Sequence, residues 1–159
     1  MYETYKVCFS SSSYFIILIS HYHFQYLLDH GVNWFDSADS YGTGSLSGRA
    51  EELLGTFAER HKGRKSVVAT KLAPYPWRIG SQSMIAACRE SVQRLQKPVD
   101  ILQLHWPPVL GWQEKEYLNA FSQLVRNKEA TQIGLSNYGP RFVITHISPI
   151  LVLHFNDKL

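Results

Sequence analysis

The sequence predicts an α/β protein in which parallel strands form part of a (β/α)8 barrel. Three observations indicate this fold: β-favouring segments alternate with amphipathic helical ones, the units recur at a regular interval, and a polar side chain ends each strand. Strands that alternate with helices are joined by crossovers and therefore run parallel. An open, doubly wound sheet has the same alternation, but its phosphate-binding G-x-G-x-x-G does not follow the first strand here. The barrel is therefore favoured over the open sheet.

Four strands and three intervening helices are predicted in order along the chain. The strands are short β-favouring runs at 32–35, 66–70, 100–104 and 131–135. The helices have apolar residues at helical spacing and lie at 51–62, 84–95 and 117–125. The polar residues that end the strands lie 35, 34 and 31 residues apart: Asp36, Lys71, His105 and Ser136. A barrel of about 250 residues divides into units of about 30, which agrees with these intervals.

The composition argues against several classes of protein. The net charge of +3 is small, and no run of Lys or Arg offers a surface to nucleic acid. Cys8 and Cys88 are the only cysteines and have no spacing that suits a disulfide framework or a zinc site, which indicates a reducing compartment. The apolar stretch 15–19 is far shorter than the roughly 20 residues that span a bilayer, and no clear targeting signal accompanies it. We therefore expect neither nucleic acid nor a membrane as a partner.

The four strand-ending residues are the candidate site. In a barrel the carboxyl ends of the strands share one rim, and active sites are built on that rim. A single polar residue after a strand is explained by the start of a loop. Four reactive types in four successive units favour a site over that explanation.

Tyr41, five positions after Asp36, adds an acid to this set. Tyrosine is a poor acid at neutral pH, but an ammonium beside it stabilises the phenolate and eases proton release. Lys71 could supply that charge, and Asp36 could pair with Lys71 to orient it. A neutral His105 could donate its ring N–H to a carbonyl oxygen. A carbonyl held in this way can accept hydride, which only a nicotinamide or flavin supplies.

Four ordered motifs resemble the aldo-keto reductase family over residues 27–140. GVNWFDSADSYG with EELLG resembles the segment around its catalytic Asp and Tyr, VVATK the strand with its Lys, DILQLHWP the strand with its His, and QIGLSNYGP the segment that holds the nicotinamide carboxamide. The resemblance implies a catalytic set of four and a cofactor-binding pair: Asp36, Tyr41, Lys71 and His105, and Ser136 with Asn137.

The resemblance also implies a TIM barrel of which this chain holds roughly strands 2 to 5 with their helices. It implies NADPH (NADP) as cofactor, no metal, and reduction of a small-molecule aldehyde or ketone to an alcohol. Trp77 and Trp106 follow the Lys and His strands, so they are candidates for the wall of an apolar substrate pocket. LAPYPWR resembles plant and cyanobacterial members, several of them plastid proteins, so we expect a cytoplasmic or plastid location. The sequence indicates no oligomeric state.

Both ends of the chain depart from the family pattern. The reductase domain is assigned to 25–140, whereas 1–24 and 141–159 cannot be aligned, and at most 24–30 is expected to be the end of a first helix. Our hypothesis is that both ends are translated intron or reflect a truncated gene model. Half a barrel then retains the catalytic four while lacking later cofactor contacts.

Two alternative functions remain open. One is an inactive or regulatory aldo-keto-reductase-like fragment with a binding or subunit role, because some such barrels are regulatory subunits of potassium channels. The other is a metal-dependent amidohydrolase barrel, for which suitable ligand types are His21, His23, Asp36, Lys71 and His105. Turnover of an aldehyde with NADPH distinguishes the first alternative, and a metal assay distinguishes the second.

Overall fold

The computed structural model describes residues 5–6, 14–42 and 48–139, with side chains from residue 21 onward. The described elements, in chain order, are β1 (Tyr5–Lys6), α1 (Tyr14–Asp29), β2 (Trp34–Asp36), α2 (Arg49–Arg60), β3 (Val67–Leu72), α3 (Gly80–Leu95), β4 (Val99–Leu104), α4 (Gly111–Arg126) and β5 (Ala130–Leu135). None of the helices in the described ranges combines the length and apolar character needed to cross a bilayer. The tail 141–159 and the first four residues lie outside the described residues.

The described strands form one parallel sheet in the order β1-β2-β3-β4-β5. In register, Phe35 lies opposite Val68, and Leu102 lies opposite Thr70 on one side and Ile133 on the other. A doubly wound sheet reverses its strand order at a switch point, whereas a barrel keeps the order of the chain. The predicted fold, a partial (β/α)8 barrel, is therefore confirmed.

The N-terminal half of the first unit extends further than predicted. The expectation placed at most 24–30 in a first helix, but α1 begins at Tyr14 and the two-residue β1 pairs with β2. The physical reason is that no Gly or Pro interrupts YFIILISHYHFQYLLD, so a helix can propagate through it. The helix predicted at 117–125 likewise begins earlier, at Gly111.

One apolar cluster joins the helices to the sheet. Its most buried members come from α2, α3, α4 and the central strands: Phe57, Met84, Leu95, Phe121, Leu124, Val68, Leu102 and Leu104. Five of the six residues of β3 are buried, but only Ala130 is buried in β5. Among the described strands β3 is therefore central and β5 lies at an edge.

A buried polar network fastens α2 and α3 to β3. Glu51 is fully buried and accepts hydrogen bonds from Thr70 Oγ1 at 2.5 Å and from Arg94 Nε at 2.7 Å. Burial raises the pKa of the Glu51 carboxyl, and its bond to Thr70 and the charge of Arg94 oppose that rise. Because Thr70 precedes Lys71, this network anchors the strand at the point where the candidate site begins.

Candidate active site

The strand ends place the predicted site residues on one rim. Asp36 is the last residue of β2, His105 follows β4 directly and Ser136 follows β5 directly. Lys71 is the penultimate residue of β3, so the prediction that this strand ends at residue 70 is wrong by two residues. The reason is that its backbone continues to pair with β4 through Leu72. The side chains nevertheless emerge at the same edge of four neighbouring strands.

Lys71 is held between two acceptors. Its Nζ donates to Asp36 Oδ2 at 2.6 Å and to the carbonyl oxygen of Ser37 at 2.7 Å. The Lys71 side chain is 5% exposed and that of Asp36 20% exposed, so the pair is shielded from water. A buried ammonium is stable only when its donors are satisfied by partners such as these. The Asp36–Lys71 pairing expected from the sequence is thus the geometry observed.

Tyr41 lies over this ammonium. Lys71 Nζ is 5.0 Å from the centroid of the Tyr41 ring, within the range of a cation–π contact. The Tyr41 amide donates to Ala38 O at 3.1 Å, and the Ala50 amide donates to Tyr41 O at 3.1 Å. The backbone of Tyr41 is therefore tied both to the loop after β2 and to the first turn of α2.

His105 completes the group. Its ring centroid is 5.7 Å from that of Tyr41, with the planes nearly perpendicular at 77°, and 4.4 Å from that of Trp106. The residue is buried, and its backbone amide donates to Leu72 O at 3.0 Å, which extends the β3–β4 ladder by one residue. All four residues expected to act in catalysis therefore lie around a single point on the rim, because Asp36 and Tyr41 contact Lys71 and the ring of His105 contacts that of Tyr41.

Ser136 and Asn137 lie next to His105. Asn137 has a φ of 62°, in the left-handed region, and its Nδ2 donates to His105 O at 2.7 Å and to Ser136 Oγ at 3.1 Å. Asn tolerates this conformation better than most residues. The turn after β5 therefore directs the Asn137 amide towards the backbone of His105, with the Ser136 hydroxyl beside it.

The two tryptophans belong to a larger aromatic group. Trp77 stacks on Tyr75 with centroids 4.6 Å apart and planes at 8°, and Trp106 meets Tyr75 edge-on at 6.1 Å. Trp77 is 64% exposed, so much of its ring faces solvent at the rim. The sequence predicts Trp77 and Trp106 as pocket residues but not Tyr75, which lies between two prolines in the LAPYPWR segment. We call Tyr75, Trp77 and Trp106 the aromatic wall.

An ion pair beneath the aromatic wall was also missed. Arg78 Nη1 donates to Asp39 Oδ2 and, at 2.8 Å, to Ala73 O. Asp39 lies in the SADSYG segment, two residues before Tyr41, and its side chain is 3% exposed. Burial raises the pKa of the Asp39 carboxyl, and the neighbouring Arg78 opposes that rise. The available signal was a second acidic residue between Asp36 and Tyr41 in the FDSADSYG segment.

The alternative of a metal-dependent amidohydrolase requires a cluster of metal-binding side chains. In the described ranges no group of three His, Cys, Asp or Glu side chains could hold a metal ion. His21 packs against Phe57 and His61 of the α2 region, with centroids 5.3 Å and 5.2 Å away. Its ring is thus engaged by α2, whereas Lys71 and Asp36 pair with each other.

Known proteins match most of this chain. Residues 22–145 match the family model described as the Aldo/keto reductase family. A chloroplastic pyridoxal reductase of Arabidopsis thaliana is 42% identical over 129 residues, covering 76% of this chain and 35% of that protein. A 6-dehydroglucose reductase of Novosphingobium aromaticivorans is 34% identical over 119 residues, covering 70% of this chain and 39% of that protein.

Other matches are more distant. A probable voltage-gated potassium channel subunit beta of Arabidopsis thaliana is 33% identical over 87 residues, covering 50% of this chain. The crystal structure of a thermostable aldo-keto reductase in complex with the inhibitor epalrestat has a TM-score of 0.74 at 23% identity. The match covers 88% of this chain and 49% of the chain in that structure, and at this identity it shows a shared fold. The chain thus spans 35% and 39% of the length of the pyridoxal and 6-dehydroglucose reductases and 49% of the chain of the solved structure.

Proposed function

Because the chain belongs to the aldo/keto reductase family, we propose that it provides the acid–base part of a site that reduces an aldehyde or ketone to an alcohol. One observation carries the proposal: the Lys71 ammonium is buried between the Asp36 carboxylate and the Tyr41 ring, with His105 alongside. Such a group can donate a proton to an oxygen that gains negative charge. The proposed functional unit is residues 25–140.

Each residue has a distinct role in the proposal. Tyr41 is the general acid, and its hydroxyl proton passes to the carbonyl oxygen as that oxygen becomes an alcohol. The Lys71 ammonium stabilises the phenolate that remains, and Asp36 keeps Nζ in place at 2.6 Å. His105 donates a ring N–H to the carbonyl oxygen and so orients it. Because the Asp36–Lys71 pair is shielded from water, the electrostatic interactions of its charges are stronger than they would be in water.

The nicotinamide end of a cofactor fits the turn after β5. A carboxamide both donates and accepts hydrogen bonds, and Ser136 with Asn137 offers a hydroxyl and an amide of the required types beside His105. We propose that these two residues hold that group. NADPH, when bound, supplies the hydride that no side chain can provide. The preference for NADPH over NADH is part of the proposal.

The aromatic wall favours an apolar or aromatic carbonyl compound. Trp77 and Trp106 join through Tyr75 into one surface that reaches the ring of His105. Aromatic faces stack on planar ligands and exclude water from them. Pyridoxal is a rational probe, since a relative is named a pyridoxal reductase, and nitrobenzaldehyde is a general one.

The test begins with cofactor binding. NADPH is titrated into the 159-residue chain while the fluorescence of its four tryptophans is followed, with circular dichroism as a check of folding. We expect saturable quenching that is lost in the Ser136→Ala/Asn137→Ala variant. Reduction of nitrobenzaldehyde is then compared between the wild type, Tyr41→Phe and the control Tyr22→Phe, whose ring is exposed on α1. Equal turnover by Tyr41→Phe would refute the role assigned to Tyr41.

A binding role without turnover is the second candidate. The observation that favours it is the similarity to a protein named as a potassium channel subunit beta. A folded chain that binds NADPH but reduces neither nitrobenzaldehyde nor pyridoxal would support this candidate. Turnover that depends on Tyr41 would exclude it.

The location is proposed as the cytoplasm or a plastid. The plastid is favoured because the Arabidopsis relative is described as chloroplastic. Microscopy of the chain fused to a fluorescent protein in leaf cells tests this, and a signal confined to the cytosol would reject the plastid.

A further inference from the structure

The Asp39–Arg78 pair joins two loops of the rim. Asp39 lies in the loop between β2 and α2, and Arg78 lies in the loop between β3 and α3, directly after Trp77. The Asp39 amide donates to Lys71 O at 2.9 Å, so its position is set by the backbone of β3. The pair therefore connects the loop that carries Tyr75 and Trp77 of the aromatic wall to the segment that carries Tyr41.

This pair is not explained by stability alone. The side chains of Arg78 and Asp39 are 15% and 3% exposed, so both charges have left water. A buried ion pair often contributes no more than an apolar pair of equal volume, because desolvation offsets the attraction. What it adds is direction, since the planar guanidinium bonds in fixed directions. Two further hydrogen bonds fix the position of Arg78: its Nη1 donates to Ala73 O, and its backbone carbonyl accepts from the Tyr117 hydroxyl.

Arg78 in turn holds the aromatic wall. Its Cζ lies 5.1 Å from the centroid of the Tyr75 ring, a cation–π contact. Tyr75 stacks on Trp77 and meets Trp106, and the Trp106 ring is 4.4 Å from that of His105. A continuous series of contacts therefore runs from Asp39 through Arg78 and Tyr75 to the ring proposed to orient the carbonyl.

We propose that Arg78 is a positioning residue, whose pairing with Asp39 sets the aromatic wall relative to His105 and so selects aromatic over small aliphatic carbonyl substrates. The proposal rests on the proposed function, because selection is measured as turnover. Arg78 itself touches no reacting atom and acts through Tyr75. A lysine at this position keeps the charge but loses the planar guanidinium, whose Nη1 donates to both Asp39 and Ala73 O and whose Cζ lies over the Tyr75 ring.

The test compares two aldehydes of different size. Initial rates with NADPH are measured for nitrobenzaldehyde and for propanal in the wild type, Arg78→Met and Arg78→Lys. We expect Arg78→Met to lower kcat/KM for nitrobenzaldehyde about tenfold, mostly through a higher KM. The kcat/KM for propanal should change by less than about threefold. Arg78→Lys should recover only part of the loss. The control is Arg89→Met, which removes an exposed arginine of α3 and should leave kcat/KM unchanged for both aldehydes.

A second variant separates the loss of positioning from misfolding caused by an unpaired buried charge. Arg78→Met leaves the Asp39 carboxylate buried without its cation, whereas Asp39→Leu/Arg78→Met removes both charges. The double variant should fold and show the same loss of selectivity. Equal losses for both aldehydes, or no loss for either, in a folded variant would overturn the proposal.

A spectroscopic measurement separates this proposal from the proposed function. The close Tyr75–Trp77 stack should give a near-ultraviolet circular dichroism signal that depends on Arg78 whether or not the chain turns over an aldehyde. If the wild type reduces neither aldehyde, the proposed function fails. In that case an unchanged near-ultraviolet spectrum in Arg78→Met would also overturn the positioning role, and a changed spectrum would support it.

Discussion

Gly55, the glycine of EELLG, lies where a single added methyl group would meet the backbone of a neighbouring helix. A Cβ added there would lie 2.4 Å from Arg94 O and 2.8 Å from Leu95 Cα, and both atoms belong to the backbone of α3. These atoms cannot rotate away as the end of a side chain can. Ordinary contact begins at 3.4 Å, so α2 and α3 would have to separate by roughly 1 Å.

The expected magnitude is a balance of two effects. Replacing Gly by Ala inside a helix gains about 0.5–1 kcal/mol from backbone entropy. Overpacking of a close contact costs about 1–3 kcal/mol. These terms differ by about 0–2.5 kcal/mol, and we expect the upper half because the contacted atoms are backbone. Gly55→Ala should therefore lower the free energy of unfolding by about 1–2.5 kcal/mol, which lowers Tm by about 2–4 °C per kcal/mol in a chain of this size.

Thermal and urea unfolding followed by circular dichroism measure this change. The control is Gly111→Ala at the first position of α4, where an added Cβ meets no heavy atom within 4 Å. That variant should be as stable as the wild type or slightly more so. A Gly55→Ala protein that melts at or above the wild-type temperature would refute the reasoning, because it would show that the two helices separate without cost.

Three further outcomes are expected. Glu51→Ala should lower the free energy of unfolding by about 3–5 kcal/mol because it leaves Arg94 without its buried carboxylate. The control Glu52→Ala, which breaks an exposed ion pair, should lower it by less than about 1 kcal/mol in the same urea assay. Burial raises the pKa of the Cys88 thiol to about 12, so iodoacetamide should label it only after unfolding; labelling of the folded chain, detected by mass spectrometry, would contradict this. Burial, with the nearby charges of Arg60 and His61, lowers the pKa of His21 below 6.5. The unfolded chain then binds more protons, so this contribution to stability is present above pH 6.5 and is lost as the pH falls below it. Replacing this histidine by Leu should flatten that part of the profile of unfolding free energy against pH, and an unchanged slope would contradict the assignment.

Residue periodicity and strand ends could be predicted from the sequence, but contacts between loops could not. The polar residues after the β-favouring runs led to the rim, and Asp36 and Lys71 meet there because adjacent parallel strands end at the same edge. The Arg78–Asp39 pair joins positions 39 residues apart in two irregular loops, and such contacts leave no period in the sequence. Tyr75 was missed for the same reason.

Element boundaries show a similar limit. The predicted start of α4 lies six residues after the observed one because Trp112, in the first turn, is 55% exposed and does not continue the apolar stripe. Strand β3 extends past Thr70 because backbone pairing with β4, and not side-chain pattern, decides where it ends. Periodicity reports which face is buried, whereas hydrogen bonding between elements decides their length.

The order of the strands has a kinetic consequence. Every described strand pairs only with strands adjacent to it in the chain, and the pairs β2–β3, β3–β4 and β4–β5 join residues about one unit apart. Contact order is therefore kept low for a parallel sheet, and closing each loop costs little more entropy than closing the one before it. The energetics come close to those of a linear repeat array, in which units stabilise their nearest neighbours. Folding is thus expected to advance one unit at a time from the first stable pair, in the direction in which the chain leaves the ribosome.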